Sequence, residues 1–157
     1  MQPARLEGGT DGRGLRIAIV VARFNQHVTD GLLDGALEAL AECGVPESSV
    51  TVAGVPGSFE LTTAAAALAR SGDYDAIVCL GAIIKHETRH DEFIAVAVAN
   101  GLTRVAVEIG VPVTFGVLTT ENEAQAIARS SGYGNRGPDA ARGAVEMANL
   151  VRLAGRR

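Results

Sequence analysis

Two histidines stand four residues apart in the segment GAIIKHETRHDEF, residues 81–93. An apolar run ends at Lys85, and His86 and His90 follow among charged residues. An imidazole is the side chain best suited to move protons near neutral pH, whereas a helical His-x-x-x-His pair can also bind zinc. Zinc is the weaker alternative, because His86 precedes the predicted helix and His27 is the only other histidine in the chain. For such a pair alone, a solvated helix start remains the simplest explanation.

Two other segments place a phenylalanine beside polar side chains: ARFN at 22–25 and PGSFE at 56–60. The chain has only four phenylalanines, so Phe24 and Phe59 together suggest a flat apolar slot for a planar ring. Taken singly, each ring would more simply cap the hydrophobic core. The serine and glutamate of the second segment suit either a helix N-terminus or a polyhydroxylated ligand.

The histidine segment also has the composition of a phosphate site. Thr88 is predicted to cap the following helix, whose first backbone N–H groups would then point outward toward an anion. Lys85 and His86 would add positive charge. His90 falls in the first turn of that helix and could face the same pocket as a proton-transfer group.

These segments all follow predicted β-strands. Apolar, β-branched runs of strand length alternate with residues at helical spacing, which predicts a parallel sheet between helical layers. We expect a flavodoxin-like, three-layer α/β/α domain over residues 15–157, preceded by a flexible, glycine-rich arm at 1–14. Ligands of such sheets bind at the carboxyl ends of the strands. The predicted strands cover residues 15–21, 49–55, 75–84 and 111–120. The first predicted helix includes the Leu33–Leu40 region and ends at Gly44. The other predicted helices cover about 59–70, 89–109, 122–130 and 138–153.

Composition limits the classes of function. At 157 residues and 47% hydrophobic content, the chain suits one well-cored domain. It shows no secretion signal and no apolar run long enough for a membrane span, so we expect a soluble, cytoplasmic protein without a membrane partner. A net charge of −4 argues against nucleic acid but allows a local anion pocket. Cys43 and Cys79 lack metal-ligand spacing and are expected to be small buried hydrophobes.

Taken together, the motifs resemble the 6,7-dimethyl-8-ribityllumazine synthase family over nearly the whole chain. Several segments in the right order are more specific than any one of them. They are ARFN at 22–25, VPGSFE at 55–60, LGAII-K-x-x-T-x-H at 80–90, GVPVTFGVLTTEN at 110–122, QAIAR at 125–129, GNRG at 134–137 and EMANL at 146–150.

The resemblance implies a transferase that condenses 5-amino-6-ribitylaminouracil with 3,4-dihydroxy-2-butanone 4-phosphate, the penultimate step of riboflavin biosynthesis. No metal and no organic cofactor are implied. His90 matches the catalytic histidine, with Asp139 as its acidic neighbour and Arg129 supplied by another subunit. Phe24 matches the aromatic ring that stacks on the pyrimidine. The other implied residues bind the ring and ribityl chain (Asn25, Gly57, Ser58, Phe59, Glu60, Ala82, Ile83, Ile84 and, from across an interface, Phe115) or the phosphate (Lys85, His86, Glu87, Thr88 and Arg129).

Two segments depart from the family pattern. Family members usually carry Arg-Gly where this chain has Lys85-His86, so a lysine without the bidentate fork of arginine is expected to weaken phosphate binding. If that glycine has a positive φ, His86 would strain the loop. The loop after Arg129 is one residue shorter than is usual in the family. Tyr133 lies near the position of a lysine that contacts substrate in family members, and Arg136 would supply the positive charge of that lysine.

The resemblance also implies a homopentamer with active sites between subunits, and it leaves open a hollow shell of twelve pentamers. Two alternatives to an active synthase remain. The protein could bind flavin or lumazine, or form a shell, after losing turnover through the departures at Lys85, His86 and Tyr133. It could instead be a flavodoxin-like regulator that lacks the pocket. A regulator of that kind would have no reason to carry Glu60 and His90 at the positions where the family has its site residues.

Overall fold

The computed structural model describes residues 1–155, with strands and helices in alternation. The strands are β1 (Ile17–Ala22), β2 (Val50–Val55), β3 (Ala76–Ile84) and β4 (Val113–Thr120). The helices are α1 (Gln26–Glu42), α2 (Leu61–Ser71), α3 (His90–Ile109), α4 (Glu123–Ala128) and α5 (Gly137–Ala154). Short 3-10 turns cover Glu47–Ser49, Ser58–Glu60 and Gly132–Gly134. The predicted order of elements is confirmed, and most predicted boundaries differ by at most two residues. The exception is α1, which begins at Gln26, seven residues before the predicted Leu33–Leu40 region.

The strands form one parallel sheet in the order β2-β1-β3-β4. In the central pair, Ile17 of β1 lies opposite Ala76 of β3, while Val50 of β2 flanks Ile17 on its other side. At the far edge, Ile77 lies opposite Val113 of β4. This is the doubly wound, flavodoxin-like topology that the sequence predicts. Because all four strands run in one direction, the segments that follow them meet at a single edge of the sheet.

Helices cover both faces of the sheet. The faces pack against α1 with α5, and against α2 with α3. Alternate residues of β1 enter the two cores: Ile17 and Ile19 face the first helix pair, and Ala18 and Val20 face the second. Each is fully buried, and for the three branched side chains among them burial stabilises the fold by about 1.5–3 kcal/mol apiece. The strand ends that carry the site are thus held by both cores.

Phenylalanines are absent from both cores. Every one of the four is substantially exposed: Phe24 at 65%, Phe59 at 61%, Phe93 at 68% and Phe115 at 46%. The explanation that Phe24 and Phe59 merely cap the core is therefore wrong. Large apolar rings left on the surface indicate sites that a ligand or another chain covers.

The predicted N-terminal arm contains no helix or strand, but its second half contacts the body of the domain. Asn149 Nδ2 on α5 donates hydrogen bonds to the carbonyl oxygens of Gly9 (2.7 Å) and Asp11 (2.9 Å). The backbone N–H of Gly12 donates to the carbonyl of Cys43 at 2.6 Å. Residues 9–12 are thereby tied to α5 and to the end of α1.

The two cysteines are free thiols in apolar surroundings. Cys79 lies buried in β3, and this burial raises its pKa to about 12. Cys43, at the end of α1, is half-buried, and desolvation raises its pKa as well. Both shifts disfavour the thiolate, which is the nucleophilic form of cysteine.

Candidate active site

The segment after β1 is shaped by one unusual residue. Asn25 has a left-handed backbone with φ 60°, and it is the only non-glycine residue with positive φ in the described part of the chain. Its side-chain Nδ2 donates to the carbonyl of Ala82 on β3 at 2.9 Å. Asparagine tolerates this conformation better than most residues. With Phe24 N–H donating to the carbonyl of Pro56 at 3.0 Å, the turn leaves the Phe24 ring projecting from the sheet edge.

The segment after β2 forms a tight turn over β3. Glu60 Oε2 accepts a hydrogen bond from the backbone N–H of Gly57 at 3.0 Å, which holds the carboxylate beside the turn. Ser58 is only 8% exposed, because it packs onto Gly81 of β3. A Cβ at Gly81 would lie 2.5 Å from Ser58 Oγ, so only glycine permits this approach. Gly57 rather than Ser58 occupies the N-cap position of the turn, which leaves the Ser58 hydroxyl for other partners.

The segment after β3 directs Lys85 toward the β4 side of the sheet edge. Its backbone N–H donates to the carbonyl of Thr120 at 2.8 Å, and its Nζ lies 3.1 Å from Glu121 Oε2. The hydrogen bond to Glu121 raises the pKa of Lys85. His86 does not have a positive φ, so the strain expected from a residue in the place of a family glycine is not found.

The start of α3 differs from the prediction. Arg89, rather than Thr88, occupies the N-cap position, and no side chain caps the helix. Thr88 Oγ1 only accepts a long contact of 3.4 Å from the backbone N–H of His90. Asp91 and Glu92 place acidic groups in the first turn, where they complement the helix dipole in the absence of a cap.

The segments after β1, β2 and β3 enclose a groove of about 800 Å³ at the carboxyl edge of the sheet. Its lining is mostly apolar with a few polar groups, which is typical of small-molecule sites of this size. Most of the predicted site residues meet here: Phe24, Asn25, Gly57, Ser58, Phe59, Glu60, Ala82, Ile83, Ile84, His86, Thr88 and His90.

One wall of the groove was not predicted. It consists of the first turns of α3, with Asp91, Phe93, Ile94 and Ala97, and Pro56 lies elsewhere on the rim. The positions 90, 93, 94 and 97 share one helix face, so the spacing was visible in the sequence. Helical periodicity does not distinguish a face that lines a groove from one that enters the core, which is why this wall was missed.

Five predicted site residues lie outside the groove in a single chain, namely Lys85, Glu87, Phe115, Arg129 and Asp139. Phe115 and Asp139 line a second hollow of about 340 Å³ beside β4 and α5. There, Arg136 Nη1 lies 3.1 Å from Asp139 Oδ2. Within one chain, Asp139 is therefore a partner of Arg136 and not the acidic neighbour of His90.

Residues 1–155 contain neither a metal-ligand cluster nor a helix that could span a membrane. In this range, no group of three or more His, Cys, Asp or Glu side chains is arranged to hold a metal ion. Nor does this range contain a helix with the length and apolar character needed to cross a membrane.

The fold and the groove define a flavodoxin-like α/β protein with a small-molecule site at the carboxyl edge of its sheet. A family model described as 6,7-dimethyl-8-ribityllumazine synthase matches residues 14–152. Proteins of that name from Desulfatibacillum aliphaticivorans and Desulfotalea psychrophila are 44% and 48% identical to the chain over 150 residues. These matches cover 95% of this chain and 97% of each relative. The chain belongs to the 6,7-dimethyl-8-ribityllumazine synthase family, as its motifs predict.

Proposed function

We propose that this protein condenses 5-amino-6-ribitylaminouracil with 3,4-dihydroxy-2-butanone 4-phosphate to 6,7-dimethyl-8-ribityllumazine, releasing phosphate and water. One observation carries the proposal: the groove gathers the two exposed rings of Phe24 and Phe59, the polar groups of Ser58 and Glu60, and His90 in one place. The relatives' name and their match over nearly the full chain identify which ring and which reaction that groove would serve.

The ring end of the groove suits the uracil substrate. The exposed face of Phe24 can stack on the pyrimidine, and such a contact adds about 0.5–1.5 kcal/mol beyond the burial of area. Asn25 uses Nδ2 within the fold and keeps its Oδ1 for a ligand. Glu60 holds Gly57 N–H through Oε2, so Oε1 is free to accept from a ribityl hydroxyl. The Ser58 hydroxyl supplies a further donor and acceptor.

His90 is the proton-transfer group in this proposal. Water leaves when the 5-amino nitrogen forms an imine with the ketone. Carbon 3 then loses a proton as the bond from carbon 4 to the phosphate oxygen breaks, which leaves an enol. Carbon 4 of the enol gains a proton to become a methyl group while the hydroxyl on carbon 3 loses one to become a ketone. Water leaves again when the second nitrogen condenses with that ketone and closes the ring. Each step moves a proton, and a positioned imidazole accelerates such steps by roughly 10²–10⁴-fold. His90 lines the same groove as Phe24 and as Thr88 of the phosphate segment.

The phosphate end requires a second chain in this proposal. The segment from Lys85 to Thr88 supplies one side, and Arg129 of a neighbouring subunit supplies the other. Phe115 and Asp139 lie in the second hollow of each chain, away from the groove, which favours a site shared between neighbours. A head-to-tail contact that pairs the groove of one chain with the second hollow of the next generates a ring when its rotation closes. We propose that this ring is a homopentamer, and that twelve pentamers assemble into a shell.

Exposed apolar side chains support this association. Val96 and Val107 are 61% and 78% exposed, and their spacing of 11 residues puts them on one face of α3. Phe115 adds a ring at the β4 edge, where it is 46% exposed. Apolar groups that recur along one helix face and at a sheet edge are more typical of subunit contacts than of a monomer surface.

The test of the function is product formation. The purified protein is mixed with both substrates, and lumazine formation is followed against the spontaneous reaction. Acceleration above that background supports the synthase. The ion pair of Lys85 with Glu121 favours one alternative, a protein that binds the ring but turns over poorly. Binding of the uracil substrate without acceleration would identify that alternative and refute the synthase.

A further inference from the structure

The loop between α4 and α5, residues 129–136, combines exposed side chains with anchored ones. Arg129 and Tyr133 project from the surface, and Tyr133 is completely exposed. Ser130, by contrast, is only 4% exposed, and Asn135 is half-buried. A loop that is anchored in this way presents its outward side chains from a fixed backbone.

Asn135 uses both polar atoms of its side-chain amide to hold this loop. Its Nδ2 donates to the carbonyl of Gly31 on α1 at 2.8 Å, and its Oδ1 accepts from the backbone N–H of Gly137 at 2.8 Å. The first bond fastens the loop to a helix that lies far away in the sequence, and the second fixes the start of α5. With its donor and its acceptor both engaged, the amide has a single orientation.

The contact with α1 requires two glycines in the interior of that helix. A Cβ at Gly35 would lie 2.6 Å from Asn135 Nδ2, and a Cβ at Gly31 would collide with the carbonyl oxygen of Ser130. Glycine inside a helix is less favourable than alanine, because it loses more conformational freedom on folding. The two glycines therefore weaken α1 locally, and in return they allow the loop to lie directly against it.

Asn135 is linked to Arg129 by one peptide bond and one hydrogen bond. The backbone N–H of Arg136, the next residue, donates to the carbonyl of Arg129 at 2.9 Å and closes the loop at its base. On the other side of Arg129, α4 contains only six residues, and a helix this short has little stability of its own. The position of the Arg129 backbone therefore depends on where Asn135 is held.

We propose that Asn135 is a positioning residue for Arg129, and that its loss weakens phosphate binding while binding of the uracil substrate is retained. The inference rests on the proposed function, in which Arg129 contacts the phosphate in the groove of a neighbouring subunit. Binding groups must be held within about 0.5 Å of their productive geometry, so a guanidinium on a loosened loop makes its contact in only a fraction of molecules. Asn135 acts without touching the ligand, because both of its polar side-chain atoms are engaged within the chain.

Phosphate binding measures this dependence directly. Inorganic phosphate is titrated by calorimetry into the full chain in its native assembly, for the wild type, Asn135→Ala, Arg129→Ala and the double variant. Asn135→Ala is expected to weaken phosphate binding roughly threefold to tenfold. In the Arg129→Ala background, the same substitution should change the affinity by less than about twofold, since a residue that acts through Arg129 has no further effect once Arg129 is removed.

Steady-state kinetics separates positioning from a general loss of structure. In Asn135→Ala, the KM for the butanone phosphate should rise roughly threefold to tenfold, while kcat and the KM for the uracil substrate stay within about twofold of the wild type. Asn149→Ala is the matched control. Asn149 Nδ2 also donates two hydrogen bonds to backbone carbonyls, those of Gly9 and Asp11, but it lies toward the other end of α5. This variant should keep the wild-type affinity for phosphate and the wild-type kinetic constants.

A milder variant covers the case in which Asn135→Ala does not assemble. Asn135→Asp keeps the acceptor for Gly137 N–H and loses only the donor to Gly31, so it should assemble and show the same dependence on Arg129. Loss of assembly in both variants would make Asn135 a purely structural residue and would overturn the inference.

The other contradicting results are equally definite. The inference is overturned if the wild type binds no phosphate, if Asn135→Ala binds it as the wild type does, or if the substitution weakens binding equally with and without Arg129. An equal effect of Asn149→Ala would also overturn it. Lumazine formation by the wild type without this dependence on Arg129 refutes the inference alone. The dependence on Arg129 without lumazine formation by the wild type refutes the proposed function alone.

Discussion

Asn25 performs two tasks at the edge of the groove. Its left-handed backbone turns the chain so that Phe24 projects outward, and its side chain ties the segment after β1 to Ala82 on β3. The sequence predicted Asn25 as a substrate-binding residue through the family resemblance, but it did not predict this backbone conformation. Asparagine occurs in many turn conformations, and only the hydrogen bonds across the sheet edge select one of them.

At position 25, alanine is expected to destabilise the fold more than glycine does, which is the reverse of their usual order within helices. Asn25→Ala should lower the free energy of unfolding by about 2 kcal/mol, because alanine is strained at φ 60° and the bond to Ala82 is lost. Asn25→Gly loses only that bond, and should cost about 1 kcal/mol. Urea unfolding of the two variants provides the comparison. If Asn25→Ala were as stable as Asn25→Gly, the left-handed turn would be refuted.

His90 is expected to accelerate the reaction without being indispensable. His90→Ala should slow lumazine formation about 10²-fold, the usual contribution of one acid–base group. Residual turnover should persist, since holding two reactive substrates together supplies much of the rate. Affinity for the uracil substrate should change little. His27→Ala, outside the groove, serves as the control, and a wild-type rate in His90→Ala would remove His90 from proton transfer.

At the scale of elements, the strands were more predictable than the helix starts. β1 and β3 are buried on both faces, so their sequences are continuous apolar runs that stand out. The predicted Thr88 cap was wrong, because Arg89 occupies the N-cap position of α3. Of the two interpretations left open for Ser58, capping is not found, since Gly57 occupies the N-cap position of its turn. A capping preference of about 1 kcal/mol is readily overridden when the preceding loop is fixed by the neighbouring strands.

The contact between the β2 segment and β3 is expected to depend on Gly81. Gly81→Ala would place a Cβ 2.5 Å from Ser58 Oγ and should displace the turn, with a loss of stability of about 1–3 kcal/mol and weaker binding of the uracil substrate. Gly143→Ala on α5 is the control, since the nearest side-chain atom lies 3.8 Å from the new Cβ. Thermal unfolding and substrate titration compare the two. Equal stability and affinity in both variants would contradict the close approach of Ser58.

At the scale of the whole molecule, each chain carries two separate parts of the proposed site. His90 belongs to the groove, whereas Phe115 and Asp139 belong to the second hollow. Periodicity and motif spacing describe contacts within one chain, so they carry no signal for a site shared between chains. That expectation came from the family resemblance alone, and it makes the shared site the central claim.

Subunit complementation tests this claim most directly. His90→Ala and Arg129→Ala chains are each expected to assemble into rings with little activity, because every site lacks one of the two residues. When the two chains are co-expressed in equal amounts, about a quarter of the interfaces should pair an intact groove with an intact Arg129. The mixed rings should then form lumazine at about a quarter of the wild-type rate. A mixture no more active than the average of the two separate variants would contradict a site built between neighbouring subunits.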